Sequence, residues 1–301
     1  MYDVIIIGGG PAGLTATIYC IRKRLEALLI TKDLGGKTNF HLQLPFVERH
    51  QVISGTEIVD RFCREIEYLE FARAFDKVEK VDATEEGFIV HTRKDGHHRT
   101  KTVIVATGAR GQFLEVPGER EFMMRGLCYS AVSYAPLFID RKTAVVGDGD
   151  LAMRSAAELA MHSTHVFLIA PTHGALDSPL GQRLQRAENV TILEGYRVEE
   201  VKGDQYARSL VVVKDGKREE LAVDGIFIEQ ELIPNSDPVA HLVELDEKRR
   251  IKVDFRNRTS HPGIFAAGDV TNTYGEQVLI AVGEGAKAAL SAYEYLLITD
   301  H

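Results

Sequence analysis

A strand that runs straight into a glycine-rich turn and out into a helix admits few folds, and this chain holds that unit twice. The first is Asp3-Val4-Ile5-Ile6-Ile7, followed by Gly8-Gly9-Gly10-Pro11-Ala12-Gly13. The second is Thr143-Ala144-Val145-Val146, followed by Gly147-Asp148-Gly149-Asp150-Leu151-Ala152. A continuous apolar run suits a strand buried on both faces of a parallel sheet. A helix over Pro11–Arg24 and a second apolar strand over Ala27–Ile30 complete the first βαβ unit; Pro11 suits a first helical turn because its missing N–H is not needed there. The second unit repeats the pattern with a helix near Leu151–Met161 and a strand over His165–Ile169.

Each glycine of the first turn has a physical task. Gly8 permits the tight turn, Gly10 lets the backbone approach a pyrophosphate, and Gly13 lets the helix pack closely on the strand. A diphosphate then lies at the helix N-terminus, against unpaired N–H groups and the positive end of the dipole. An acidic residue normally closes the second strand and holds the adenosine ribose. Here Thr31 stands at that point, with Asp33 two residues on, so a hydroxyl or the later carboxylate is expected to serve.

Between and beyond the two units the signals are coarser. A helix is expected over Ile53–Leu69, with Ile53, Ile58, Val59, Phe62 and Ile66 near one stripe and Ser54 and Thr56 at its start. Phe88–Thr92 and Arg99–Val105 flank Lys94-Asp95-Gly96 as a hairpin, and His97 and His98 beside it read as exposed turn residues rather than metal ligands. Val103-Ile104-Val105 ends in Ala106-Thr107-Gly108, and Gly111–Arg120 reads as a connector. Further strands are expected over Val190–Leu193, Ser209–Val213 and Gly225–Ile228, a second connector at Pro234-Asn235, and a long helix over Gln277–Leu297. The fold class is therefore α/β: two Rossmann-like, three-layer domains, one inserted in the other. The expected boundaries are 1–113 and 242–301 for the outer domain and 114–241 for the insert.

Composition excludes several function classes. The 301 residues carry a formal net charge of -8, so no basic face is available to neutralise nucleic-acid phosphates. No apolar stretch is long enough to span a bilayer and no basic leader precedes the first strand, so no membrane partner is expected and the cytoplasm is the default. The 3 cysteines, Cys20, Cys63 and Cys128, form no Cys-x-x-Cys and no metal spacing; no metal site is expected, and the low count fits a reducing compartment.

Three blocks at these separations, Gly8 to Gly13, Ala106-Thr107-Gly108 and Ala266-Ala267-Gly268-Asp269, resemble the FAD domain of the low-molecular-weight thioredoxin reductases, within the class II pyridine nucleotide-disulfide oxidoreductases. The tail Glu276-Gln277-Val278, running into Gly283-Glu284-Gly285-Ala286-Lys287, is similar to that group and to the flavoprotein subunit of alkyl hydroperoxide reductase. The resemblance covers nearly the whole chain. It implies FAD in the outer domain, held by Gly8, Gly10, Pro11, Ala12, Gly13, Thr31, Gly36, Lys37, Ala106, Thr107, Gly108, Gly268, Asp269, Gln277 and Val278. Asp269 would accept from the ribityl chain, and the backbone at Gln277 and Val278 would face the flavin pyrimidine edge. A helix N-terminus there stabilises negative charge on a reduced flavin. A homodimer is also implied.

The departures from the family matter as much. Gly35-Gly36-Lys37 has lysine where the family has glutamine. Leu44-Pro45-Phe46-Val47-Glu48-Arg49 departs from the family's Glu-Asn-Tyr/Phe-Pro-Gly, with Phe46 near the asparagine that touches flavin, so an apolar, altered pocket is expected. In Cys128-Tyr129-Ser130-Ala131-Val132-Ser133, Ser130 and Ser133 fall on the family's two cysteine positions. Thioredoxin reduction needs thiol–disulfide exchange; a serine hydroxyl is not ionised near neutral pH and forms no S–S bond. Ordinary thioredoxin reduction is therefore rejected, and Cys128 reads as a small buried residue rather than a lone redox thiol.

NAD(P)H use at the second turn is disfavoured on three grounds. Asp148 sets a carboxylate where pyrophosphate would lie. The family's arginine-bearing segment for the NADPH 2′-phosphate is replaced by Ala170-Pro171-Thr172-His173. Glu231 stands near a family glycine, in Glu229-Gln230-Glu231. The expected activity is an FAD-dependent oxidoreductase in which the flavin carries the chemistry and no protein group is catalytic, fed by a protein carrier such as ferredoxin or by an unusual small donor. Two alternatives stand beside it: a non-enzymatic, sensory or partner-binding flavoprotein, and an atypical disulfide reductase using Cys128 or an external thiol.

Overall fold

The computed structural model describes residues 1–47, 56–94 and 96–299. Ile53, Ser54, Glu48, Arg49 and Asp95, singled out above, lie outside the described residues. By internal contacts the chain divides into two units: Met1–Asn39, Ile53–Arg110 and Ile233–His301 form one, and Phe40–Val52 with Gly111–Leu232 form the other. The boundaries expected from sequence were at 113 and 242.

The first unit opens with β1 (Tyr2–Ile7), α1 (Pro11–Arg22) and β2 (Ala27–Thr31). The first helix stops short of the Arg24 expected from sequence, because Arg24 turns left-handed, with φ 62°. Then come α2 (Thr56–Tyr68), β3 (Arg73–Phe75), β4 (Val78–Thr84), β5 (Gly87–Thr92), β6 (Gly96–Val105) and β7 (Ala109–Arg110). Strand β6 is long enough to serve two partners on one edge. Its first half pairs antiparallel with β5, and its last three residues pair parallel with a strand from the C-terminal part of the chain. Its other edge pairs parallel with β1 from Thr100 to Val105. Strand β1 shows the period-2 alternation of a doubly covered strand: Val4 and Ile6 join the cluster with α1 and α2, whereas Ile5 and Ile7 join the one with Val78, Val90 and Ile251.

The second unit contains α3 (Glu119–Phe122), β8 (Leu127–Cys128), α4 (Ala131–Tyr134), β9 (Lys142–Val146), α5 (Asp150–Ala160), β10 (His165–Ala170) and α6 (Pro179–Gln185). It continues with β11 (Val190–Glu194), β12 (Arg197–Gly203), β13 (Ala207–Lys214), β14 (Lys217–Ala222) and β15 (Gly225–Ile228). The parallel sheet has the order β11-β10-β9-β15-β8. One face packs on α5 through Val145, Ala152, Met153 and Ala156. The other is covered by the antiparallel β12-β13-β14 sheet through Val201, Leu210, Val212 and Leu221. Of that meander the sequence signalled only β13, because β12 and β14 carry charged residues on their open face.

Residues 40–47 go with this second unit. Gln43 N donates to Met124 O at 2.8 Å, Leu42 and Leu44 are buried among Cys128, Phe138 and Val145, and Phe46 packs edge-on against Phe138 with Arg141 over its ring. Phe46 thus packs with a hydrophobic cluster of the second unit.

The chain returns through β16 (Ile233–Pro234), which pairs antiparallel with β7, and closes the first unit with β17 (Ile264–Ala266) and α7 (Val278–Thr299). Helix α7 lies close on α1: a Cβ at Gly285 would stand 2.1 Å from Ala12 O. Among the described residues no helix is long and apolar enough to cross a membrane, and no group of histidine, cysteine and acidic side chains could hold a metal.

Candidate functional site

The parallel strands of the first unit, β2-β1-β6-β17, all deliver their carboxyl ends to one edge of the sheet. The chain goes to β2 on one side of β1 and to β6 on the other, so that edge is a topological switch point, where open α/β sheets bind ligands. The first glycine turn, Ala106–Gly108 and Ala267–Asp269 directly follow β1, β6 and β17, and Thr31 ends β2.

The three glycines separate by what a side chain would meet. A Cβ at Gly8 would fall 2.3 Å from Ala106 O, and one at Gly13 would fall 1.8 Å from Gly8 O. Both are glycine because the backbone closes on them, and Gly8 also has φ +107°. Gly10 differs: nothing lies within 4 Å of where its Cβ would stand, and its backbone is ordinary and extended. It caps α1 without any side-chain hydrogen bond, so the first-turn N–H groups look out over the open side of the sheet edge. Gly108, with φ +65°, has the same open surroundings. A cradle that keeps fold-required glycines behind and an open glycine in front fits the diphosphate of a dinucleotide.

Around this cradle the other expected residues come together. Gly36 lies against Gly10, its Cβ position 3.2 Å from Gly10 Cα. Lys37 Nζ, on the short helix Gly36–Asn39, pairs with Asp269 Oδ2 at 2.5 Å. Thr107 Oγ donates to Asn235 O at 2.7 Å, and Asn235 Nδ2 returns a bond to Thr107 O at 3.0 Å. Gly268 N donates to the buried Glu284 carboxylate at 2.8 Å. Gln277 immediately precedes α7 and accepts from Ala281 N; Val278 is its first residue. Pro11 and Ala12 begin α1, with Ala12 buried. Thr31 is also buried, and its hydroxyl donates to Asp33 O at 2.7 Å. The Asp33 carboxylate accepts from Gly36 N. The two ribose candidates are thus spent first on shaping their own loop.

Asn235 and Glu284 were not assigned a role from sequence. A polar residue just after a strand end, and a glutamate on the buried face of an otherwise small-residue helix, were the available signals.

In the second unit, Ser130 Oγ and Ser133 Oγ lie 3.0 Å apart, hydrogen-bonded to each other at the start of α4. Buried Glu229, just beyond β15, accepts from Ala131 N at 2.6 Å. Cys128 is 1% exposed, and burial pushes its thiol far above the ordinary range. All three cysteines are free. Glu119, fully buried, accepts from Leu114 N and Glu115 N and from the Tyr129 hydroxyl.

These features meet their counterparts among known proteins. Residues 2–285 match the model of the pyridine nucleotide-disulphide oxidoreductases. The chain belongs to that family. It is 36% identical over 99% of its length to the F subunit of alkyl hydroperoxide reductase from Pseudomonas aeruginosa, and 33% identical over 98% to its counterpart from Staphylococcus aureus. It spans only 59% of the length of these relatives. Among solved structures, thioredoxin reductase from Streptococcus pyogenes superposes with a TM-score of 0.87 at 32% identity, covering 99% of both chains. The Giardia duodenalis enzyme gives 0.88 at 26%, over 98% of this chain and 99% of that one. The α/β fold with two Rossmann-like domains and the likeness to thioredoxin reductases follow directly, as does an oxidoreductase of a flavoprotein family.

Proposed function

We propose that the protein is an FAD-dependent oxidoreductase that moves electrons through its flavin without a redox disulfide of its own. The observation that carries this reading is the first turn. Gly8 and Gly13 are closed by backbone, whereas Gly10 and Gly108 open onto the switch-point edge of the sheet, beside Lys37 and Asp269. The first unit, the counterpart of 1–113 and 242–301, would hold the FAD. Gly8 to Gly13 and the N–H groups of α1 would take the diphosphate and Asp269 the ribityl chain, while Thr31, its hydroxyl given to Asp33 O, would shape the loop at the ribose end. Gly36, Ala106, Thr107, Gly108 and Gly268 would wall the cradle, with the start of α7 at Gln277 and Val278 beside the ring. Bound FAD supplies the two-electron chemistry; the chain's own residues bind, orient and tune it. Lys37 already compensates Asp269, so replacing the family's glutamine adds a cation to this wall.

Against a route through sulfur at the family's cysteine positions stand two observations. Ser130 and Ser133 bond to each other and carry no thiol, and buried Cys128 holds its proton. A thiol pushed this far from ionisation does not exchange disulfides, which argues against the Cys128-based reductase. Electrons would come from a protein carrier such as ferredoxin or from a small donor other than NAD(P)H, and we propose a homodimer. Anaerobic reduction of the purified protein tests the reading. Reduced ferredoxin should bleach the flavin rapidly and NADPH or NADH should not. Fast bleaching by NADPH removes the proposed donor class, and bleaching by dithionite alone favours a sensory, non-enzymatic flavoprotein. A colourless protein that takes up no added FAD overturns the whole reading.

A further inference from the structure

The second glycine turn has the same frame as the first but an opposite mouth. Gly147 matches Gly8: its Cβ would stand 2.4 Å from Glu229 O, just as that of Gly8 would stand 2.3 Å from Ala106 O. Gly149 occupies the place of Gly10 as the residue before the helix, again extended and again without a side-chain cap. Yet where Gly10 faces open space, Gly149 faces Glu231. A Cβ there would stand 3.6 Å from Glu231 Cγ and 3.7 Å from its Oε1.

The neighbouring loop closes on the turn as well. Ala175 N donates to Asp148 O at 2.7 Å, and a Cβ at Gly174 would lie 2.0 Å from the same oxygen. Thr172 Oγ donates to Asp148 Oδ2. His173 anchors the loop between Glu194 at 2.8 Å and Asp177 at 3.2 Å. The first turn of α5 adds a further carboxylate, Asp150, and Arg154 turns its Nε back to Asp150 O.

We infer that the second turn is shut to dinucleotide diphosphates by the chain's own carboxylates, Glu231 over Gly149 and Asp148 at its side. A Glu231 carboxylate at the N-terminus of α5 sits where the helix dipole favours an anion, so it takes the position a diphosphate needs. Asp148, held by Thr172, repels what remains. The pyridine nucleotide that the family implies therefore does not fit this site. This inference rests on the reading that NAD(P)H is not the donor, but it assigns the exclusion to particular side chains.

Titration calorimetry of NADH and NADPH into the purified full chain tests it, since binding is read whether or not flavin is present. The wild type should show no saturable binding. Glu231→Gln combined with Asp148→Ser should raise affinity at least tenfold, and Glu231→Gly, which also clears the space, should do so alone. Circular dichroism checks that each variant is folded, and the near-isosteric Glu231→Gln serves if the glycine variant is not. Folded variants that bind within twofold of a non-binding wild type overturn the inference and leave the donor reading standing. Tight binding of NADPH by the wild type overturns both. Gain of binding in the variants, with flavin still unreduced by ferredoxin, upholds the inference while the donor reading falls.

Discussion

At the scale of single residues, the two turns give opposite expectations for chemically identical substitutions. Gly10→Ala meets no atom of the protein and has an unstrained backbone, so the apoprotein should keep its melting temperature while bound flavin in the purified material drops at least tenfold. Gly13→Ala drives a methyl into Gly8 O and should cost about 3 kcal/mol or more in denaturant unfolding. Equal loss of stability in the two variants would remove the argument that Gly10 is kept for a ligand. The cysteines give a pH expectation. Burial pushes Cys20 up to about 12 and Cys63 up to about 11, from an ordinary value of 9.0. The folded chain therefore keeps protons that the unfolded chain releases, so this contribution is complete below pH 9 and is lost as pH rises through those values. Urea midpoints should fall between pH 8.5 and 10.5 by more than in a Cys20→Ala variant. The sequence alone pointed to the glycines. Sequence also marked Glu231 and Asp148 as departures at the second turn, but that the Glu231 side chain comes beside Gly149 while Gly10 meets nothing is visible only in the fold.

At the scale of elements, buried carboxylates hold strand ends and connectors in place. Glu119 satisfies two backbone N–H groups of the 114–115 connector and the Tyr129 hydroxyl. Glu119→Ala removes the acceptor of these part-buried donors, at about 1–3 kcal/mol in all, and should lower the thermal midpoint without altering flavin content. Glu284 plays the same part for Gly268 at the carboxyl edge of the first sheet, so on the proposed reading Glu284→Ala should lower flavin content as well as stability; unchanged flavin content would mean that the Gly268 turn does not line the cofactor. Most elements were legible from periodicity and punctuation: both βαβ units, the β5–β6 hairpin and the long α7. The β12-β13-β14 sheet was only partly so, since strands with one charged face lose their pattern among loops. The docking of residues 40–47 onto the insert was not legible at all, because Leu42, Leu44 and Phe46 form a run too short to declare its partner.

At the scale of the whole molecule, two units with separate hydrophobic clusters predict that scanning calorimetry of the apoprotein resolves more than one transition. A ligand that binds only one folded unit raises that unit's transition by mass action. Added FAD should therefore shift the transition of the unit containing α1 and α7. The other transition should stay in place, and NADPH should shift neither. A single transition moved as a whole by FAD would show that the units unfold as one.

The amino-acid order by itself determined that the chain repeats a strand–turn–helix unit, that the repeats lie in an outer and an inserted α/β domain, and that no cysteine pair is present. Those properties reside in local periodicity and in residue identity. Only the tertiary structure decided which atoms stand beside each turn's glycines, how Lys37 and Asp269 meet, and where Phe46 packs. Each of these depends on atoms brought together from distant parts of the chain, and close packing and charge at such contacts are fixed only when the sheet is assembled.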